Sequence, residues 1–244
     1  MKRLVFLVIT TSSSILFISH AHAKSDWSYK GKSGPEYWGK ISSRYRACSD
    51  GNSQSPINIT GGVNVAQTKI TYTYKGSGYE VVNNGHTLQV TTKPGSKIEL
   101  EKQIYNLKHM HLHTPGEHKI SGRSYLMEAH LVHSDNKGTL TVIAVMFRSG
   151  RDNKSIAAIL QSAPKKRGSN PLLKPLNLSK LLPQNKDHFT YTGSLTMPPC
   201  TEGVRWIVMK NPITASDKQM KKLKQIMGAN SRPIQPLNSR MITK

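Results

Sequence analysis

Short runs in which apolar and polar residues alternate one by one fill most of this chain. Residues 69–74, 79–83, 87–91, 98–100, 104–113, 125–133, 139–147, 189–192 and 204–209 read as β-strands on that pattern. A period of two sends alternate side chains to one face of a sheet. Helical spacing is scarce. Residues 155–161 carry a short stretch of it, and 216–228 a better one, with Ser216 as cap, Gly228 as stop, and Met220, Leu223 and Met227 on one face. The aromatics spaced along a polar, Gly-rich arm over 27–38 predict that it packs down on the body. No repeat, low-complexity stretch or linker divides the run. Many strands and few helices in one unbroken run predict a single, mainly β domain of the α+β kind.

The first 23 residues fall outside that domain. Lys2-Arg3, an apolar stretch over 4–18 diluted by Thr and Ser, and Ala21-His22-Ala23 have the three parts of an export signal. The stretch is too short and broken for a secure membrane span. Cleavage leaves a mature domain of residues 24–244, enough to bury a core. An exported chain with two cysteines, Cys48 and Cys200, predicts one disulfide, whose long loop contributes roughly 4–5 kcal/mol at most.

Charge adds a second constraint. The chain holds 35 Lys+Arg against 13 Asp+Glu, a formal +22 that falls to +20 once Lys2 and Arg3 leave. The bases are scattered, with denser stretches at 165–167 and 218–224, and aromatics make up only 7%. Interleaved aromatics are what single-stranded nucleic acid requires, so no nucleic-acid partner is expected. Weak association with an anionic envelope surface fits the balance better.

The candidate chemistry lies in the histidines. His109, His111 and His113 share one strand parity, and His130 follows on another apolar, β-prone run with Glu128 two residues before it. Imidazoles at i and i+2 face the same way, and a third from a neighbouring strand completes a three-nitrogen metal site with one position open. Residues i and i+4 on a strand lie about 13 Å apart, too far for one ion, so the pair is 109/111 or 111/113. A carboxylate two residues before His130 suits the habit of ligand histidines to donate their other N–H.

Several motifs, in order, resemble the alpha-class carbonic anhydrases: Gly34-Pro35-Glu36-Tyr37-Trp38-Gly39, Gln54-Ser55-Pro56-Ile57, Asn83-Asn84-Gly85-His86, His111-Leu112-His113-Thr114-Pro115, Glu128-Ala129-His130-Leu131-Val132-His133, Leu195-Thr196-Met197-Pro198-Pro199-Cys200 and Arg232-Pro233-Ile234-Gln235-Pro236. The resemblance runs over nearly the whole mature chain and is nearest the bacterial exported branch, which implies export, to the periplasm or as a secreted protein, and a Cys48–Cys200 bridge. It implies a central, mostly antiparallel, twisted sheet of about ten strands with few short helices. It settles the ligand set as His111, His113 and His130, holding Zn2+, whose bound water ionises near neutrality and attacks carbon dioxide to give bicarbonate.

Further roles follow from the resemblance. Glu128 orients the third ligand. Thr196 accepts the hydrogen bond of the attacking oxygen and donates to Glu117. Val132, Val142, Leu195 and Trp206 form the apolar wall for carbon dioxide, with Thr196 and Met197 beside it. His86 matches the proton shuttle, for which an unperturbed pKa of about 6.5 is suited. His118, His133 and His188 read as structural or solvent-facing. The chain departs from the family pattern twice. His109 replaces a glutamine that bonds the first ligand, though a neutral histidine can still accept that bond, and Met197 replaces a threonine. The rival reading is a non-catalytic member of the same fold that binds anionic surfaces, but such members lack a ligand or the Thr/Glu pair. The motifs leave open whether the chain forms a homodimer.

Overall fold

A computed structural model describes residues 27–65 and 69–244, so the expected export signal at 1–23 lies outside the described residues. The strands run β1 (Asn58–Ile59), β2 (Ile70–Tyr74), β3 (Gly78–Asn83), β4 (Leu88–Thr92), β5 (Ser96–Leu100), β6 (Gln103–His113) and β7 (Lys119–Ile120). They continue through β8 (Met127–Ser134), β9 (Leu140–Ser149), β10 (Gly168–Leu176), β11 (His188–Ser194), β12 (Glu202–Met209) and β13 (Ile213–Ala215). Helices are few and short: α1 (Trp38–Ile41), α2 (Ala47–Asp50), α3 (Lys154–Ser162) and α4 (Asp217–Met227), with single 3-10 turns between some of them. No helix among the described residues is long and apolar enough to cross a membrane.

Eleven of the strands form one sheet in the order β10-β3-β4-β6-β8-β9-β12-β11, with β5 carrying β2 against β6 and β13 lying against β9. Every pairing is antiparallel except those of β12 and β13 with β9. β1 and β7 pair separately, in parallel. The sheet is therefore mostly antiparallel.

Alternation along the central strands splits the interior in two. Met127, Ala129 and Leu131 of β8, with Ile143, Val145 and Phe147 of β9, face the larger core, where Ile156 and Ile159 of α3 and Met220 and Leu223 of α4 pack on the sheet. Val132, Val142, Ala144 and Met146 face the opposite way, onto Ile57, Tyr191 and Trp206. All eight residues of β8 are buried, which puts Glu128, His130 and His133 out of water. Buried polar groups must find partners. The site is built where these do.

On β6 the core-facing parity changes: Tyr105 and Leu107 face the larger core, then Met110 and Leu112 do. Pairing with β8 is irregular at the same place, passing from Leu107↔His133 to His109↔Val132.

The arm at the start of the described chain packs down as predicted. Trp27 meets Trp38 edge to face at 5.2 Å, and the Trp38 indole N–H donates to the Ser28 carbonyl at 2.8 Å. These rings close over Cys48 and Cys200, which are disulfide-bonded with Cα atoms 5.0 Å apart.

Candidate metal centre and active-site cleft

β6 aims His111 and His113 to one side, and the β6–β8 register sets His130 directly across from His111 and Glu128 across from His113. One ring nitrogen from each of His111, His113 and His130 lies within 4.8 Å of the others, and all three rings are buried. The second rings of the chain then fix which nitrogens are free. His113 Nδ1 donates to the Asn230 carbonyl at 2.7 Å, which leaves the Nε2 lone pair without a partner. His130 Nε2 donates to Glu128 at 2.7 Å, which leaves Nδ1 for the centre. Neither nitrogen of His111 has a partner.

Glu128 anchors a relay of buried hydrogen bonds. Its carboxylate accepts from His130, from His118 Nδ1 at 2.6 Å, and from the backbone N–H groups of Glu117 and His118 at 2.7 and 2.8 Å. With Glu128 purely an acceptor and His118 Nδ1 its donor, His118 Nε2 accepts a hydrogen bond from the Tyr191 hydroxyl at 2.7 Å, and Tyr191 accepts from Ser55 at 2.8 Å. Burial pushes the Glu128 pKa up, but His118 and His130 outweigh it and hold the carboxyl well below its usual range. Burial, and then the neighbouring histidines, hold His111 well below an ordinary imidazole, while burial brings His113 to about 4. Burial lowers His130 as well, so all three candidate ligands are neutral near pH 7, with lone pairs available.

Unpaired buried nitrogens on neutral imidazoles cost about 1–3 kcal/mol each unless something satisfies them. A divalent cation that favours nitrogen donors fits this set, and zinc is the common one. Among the described residues the converging group has three members, with no fourth His, Cys, Asp or Glu. The other His/Glu cluster, His118, Glu128 and His130, is spoken for by the relay.

A cleft of about 460 Å³ opens onto His111 and His130, and Val132, Val142, Leu195, Thr196, Met197 and Trp206 all line it. Trp206 is fixed by donation from its indole to the Ser194 carbonyl at 3.0 Å. Met197 also packs on the cluster around the disulfide. Behind the ligands, Glu117 Oε1 accepts the Arg232 backbone N–H at 2.8 Å and lies 3.4 Å from His113 Nδ1. Burial pushes Glu117 up to about 7, with His130, the Arg232 N–H and the Thr196 hydroxyl pulling it back. Thr196 therefore faces this carboxylate, although Oε2 falls short of a full hydrogen bond.

His86 lies elsewhere. It follows Gly85, whose φ of +86° makes the turn, and its N–H is held by Asn84 Oδ1 at 2.9 Å. Its ring stacks on Trp27 with centroids 3.7 Å apart, half-buried and outside the residues lining the cleft. Burial, then Arg167, lowers its pKa.

His109 departs from expectation. Its ring lies 5.3 Å from that of His111, tilted by 32°, and it makes no hydrogen bond to His111 Nδ1. Burial, then His130, depresses it to about 4. His118 and His133 are wholly buried rather than solvent-facing, His133 meeting the Tyr74 hydroxyl at 2.9 Å, and His188 bonds the Lys186 carbonyl. Sequence reasoning missed Asn230 and Tyr191. Neither carries a local signal, because each meets the site from more than seventy residues away in sequence.

The sequence model described as eukaryotic-type carbonic anhydrase matches residues 33–244. The chain belongs to the alpha-class carbonic anhydrase family. It is 37% identical to a carbonic anhydrase of Pectobacterium carotovorum, over 97% of this chain and 98% of that protein. The solved alpha-carbonic anhydrase of Photobacterium profundum superposes with a TM-score of 0.86 at 41% identity, covering 89% of this chain and 100% of that one. The alpha-carbonic anhydrase of Thermovibrio ammonificans, solved in complex with the inhibitor sulfanilamide, gives 0.88 at 40%, over 91% and 100%. The mainly β carbonic anhydrase fold is the one observed here.

Proposed function

We propose that this carbonic anhydrase holds Zn2+ through His111, His113 and His130 and catalyses the reversible hydration of carbon dioxide to bicarbonate and a proton. When bound, zinc would supply a Lewis acid that brings the pKa of a coordinated water to about 7, the value established for this enzyme class. The observation that carries the reading is the convergence of one ring nitrogen from each of the buried His111, His113 and His130, those of His111 and His113 without any partner, beside a largely apolar cleft.

The other residues divide the remaining work. Val132, Val142, Leu195 and Trp206 offer an uncharged surface to an uncharged substrate. Glu117, its Oε1 fixed by the Arg232 N–H, is placed to accept the hydrogen bond of the Thr196 hydroxyl, which would leave the Thr196 oxygen to accept one from the nucleophile and orient it toward carbon dioxide. Glu128 holds the His130 tautomer and, through His118, ties it to Tyr191. The proton released on forming bicarbonate passes to His86 and then to buffer. Asn230 supports that placement, since its carbonyl holds His113 and its side-chain N–H holds the His86 carbonyl at 3.0 Å.

Export by the signal at residues 1–23 into the periplasm completes the proposal, and a disulfide suits an oxidising compartment. The intact triad and Thr196/Glu117 pair favour an enzyme over a purely surface-binding protein. Metal analysis of purified protein with a stopped-flow hydration assay tests the reading. One zinc per chain and hydration lost with a chelator are expected; a metal-free, inactive protein after zinc reconstitution refutes it. His86→Ala is expected to slow turnover about tenfold or more in weak buffer, with recovery on adding imidazole.

A further inference from the structure

Gln89, Lys108, His109 and Ser134 line the cleft beside its apolar residues, His109 directly across the ladder from Val132, and Lys108 is the one lining residue with a full formal charge. How a lysine comes to be there is legible in β6. Strict alternation with Met110 and Leu112 would send Lys108 into the larger core. The ladder instead passes from Leu107↔His133 to His109↔Val132, so Lys108 has no residue across from it on β8. An extra residue in one strand is a β-bulge, a device that re-aims a side chain. Leu107 takes the core position, and Lys108 is exposed at the rim of the cleft.

Nothing acidic lines the cleft to offset that charge. Glu117 and Glu128 are wholly buried behind the histidines and held by N–H donors. Asp135, next after Ser134, is not among the lining residues and turns its Oδ1 to the backbone N–H groups of Lys137 and Thr139 in its own turn. Beside the charge of the zinc proposed above, Lys108 is the one fixed full cation among the residues lining a largely apolar cleft, and such a charge attracts anions into it.

We infer that Lys108 is an anion-selecting residue at the rim of the active-site cleft, favouring bicarbonate and other anionic ligands over neutral or cationic ones of the same shape. The inference rests on the carbonic anhydrase reading of the site and adds the charge class of ligand that the site prefers. A unit charge acting across about 8 Å of partly aqueous cleft shifts a dissociation constant by about fivefold, less at high salt.

The test uses the full-length, zinc-loaded protein and three aryl sulfonamides with one head group: unsubstituted benzenesulfonamide, its 4-carboxy derivative and its 4-aminomethyl derivative. Calorimetric dissociation constants are compared for the wild type, Lys108→Met, Lys108→Glu and, as a bulk-charge control on α4, Lys224→Glu. Lys108→Met is expected to weaken the carboxylate about fivefold and tighten the ammonium, leaving the neutral compound unmoved. Lys108→Glu doubles the effect on a logarithmic scale, and Lys224→Glu has none. In the wild type, raising the salt compresses the anion-to-cation ratio, a readout that needs no variant. Tight binding with a ratio indifferent to residue 108 and to salt overturns the inference, as does an equal change in Lys224→Glu. Failure of every sulfonamide to bind the wild type sinks the functional reading, and this inference with it.

Discussion

His111 Nδ1 is the residue-scale oddity of the centre. His113 and His130 each spend their outer nitrogen on an oxygen, whereas His111 has none because His109 does not reach it. Outer-shell hydrogen bonds to ligand histidines are worth about 10–100-fold in metal affinity. His109→Gln, which presents a carbonyl oxygen from the same position, is therefore expected to slow zinc stripping by a chelator about tenfold; equal rates in both proteins would refute this. The ligands were legible because strand parity is a local property, and the family motif chose between 109/111 and 111/113. Asn230, Tyr191 and the burial of His118 were not, since each gains its role only from a partner far along the chain. His109 shows the converse limit: a motif position can be matched while its bond is not made.

Among the elements, α4 offers a clean separation of stability from chemistry. Ser216 accepts the Gln219 N–H while the Gln219 side chain returns to the Ser216 N–H, a complete capping box. Its buried apolar residues, Met220 and Leu223, belong to the larger core, on the far side of the sheet from the cleft. Ser216→Ala is expected to cost about 1 kcal/mol, or roughly 2–4 °C in melting temperature, with zinc affinity unchanged. Thermal melts beside a zinc competition assay check both halves. Most strands were readable from alternation, but β10 was not. Gly168, Pro171 and Pro175 interrupt its pattern, and it is tolerated because it is the edge of the sheet beyond β3. β1, β7 and β13 span two or three residues, too few to show a period, and the one-turn helices α1 and α2 are likewise too short.

Two expectations belong to the whole molecule. The Cys48–Cys200 bridge spans 152 residues, so reducing it should lower unfolding stability by up to about 5 kcal/mol, measurable in urea with and without reductant. Acid should also weaken the fold. His133 is held at about 4 by burial, so between its unfolded pKa of about 6.5 and that value the unfolded chain binds a proton the native one refuses. Stability is then lost as pH falls through that window, by about 2 kcal/mol at pH 5 from this group alone. His133→Phe is expected to reduce the loss between pH 7 and pH 5 by that amount in urea titrations; an identical loss would refute it. The relay from Ser55 through Tyr191, His118 and Glu128 to His130, together with the Asn230 carbonyl on His113, has a bearing on synthesis. No stretch of nascent polypeptide ending before Asn230 can set the His113 ring by that carbonyl, so full metal affinity has to wait until every strand has been translated.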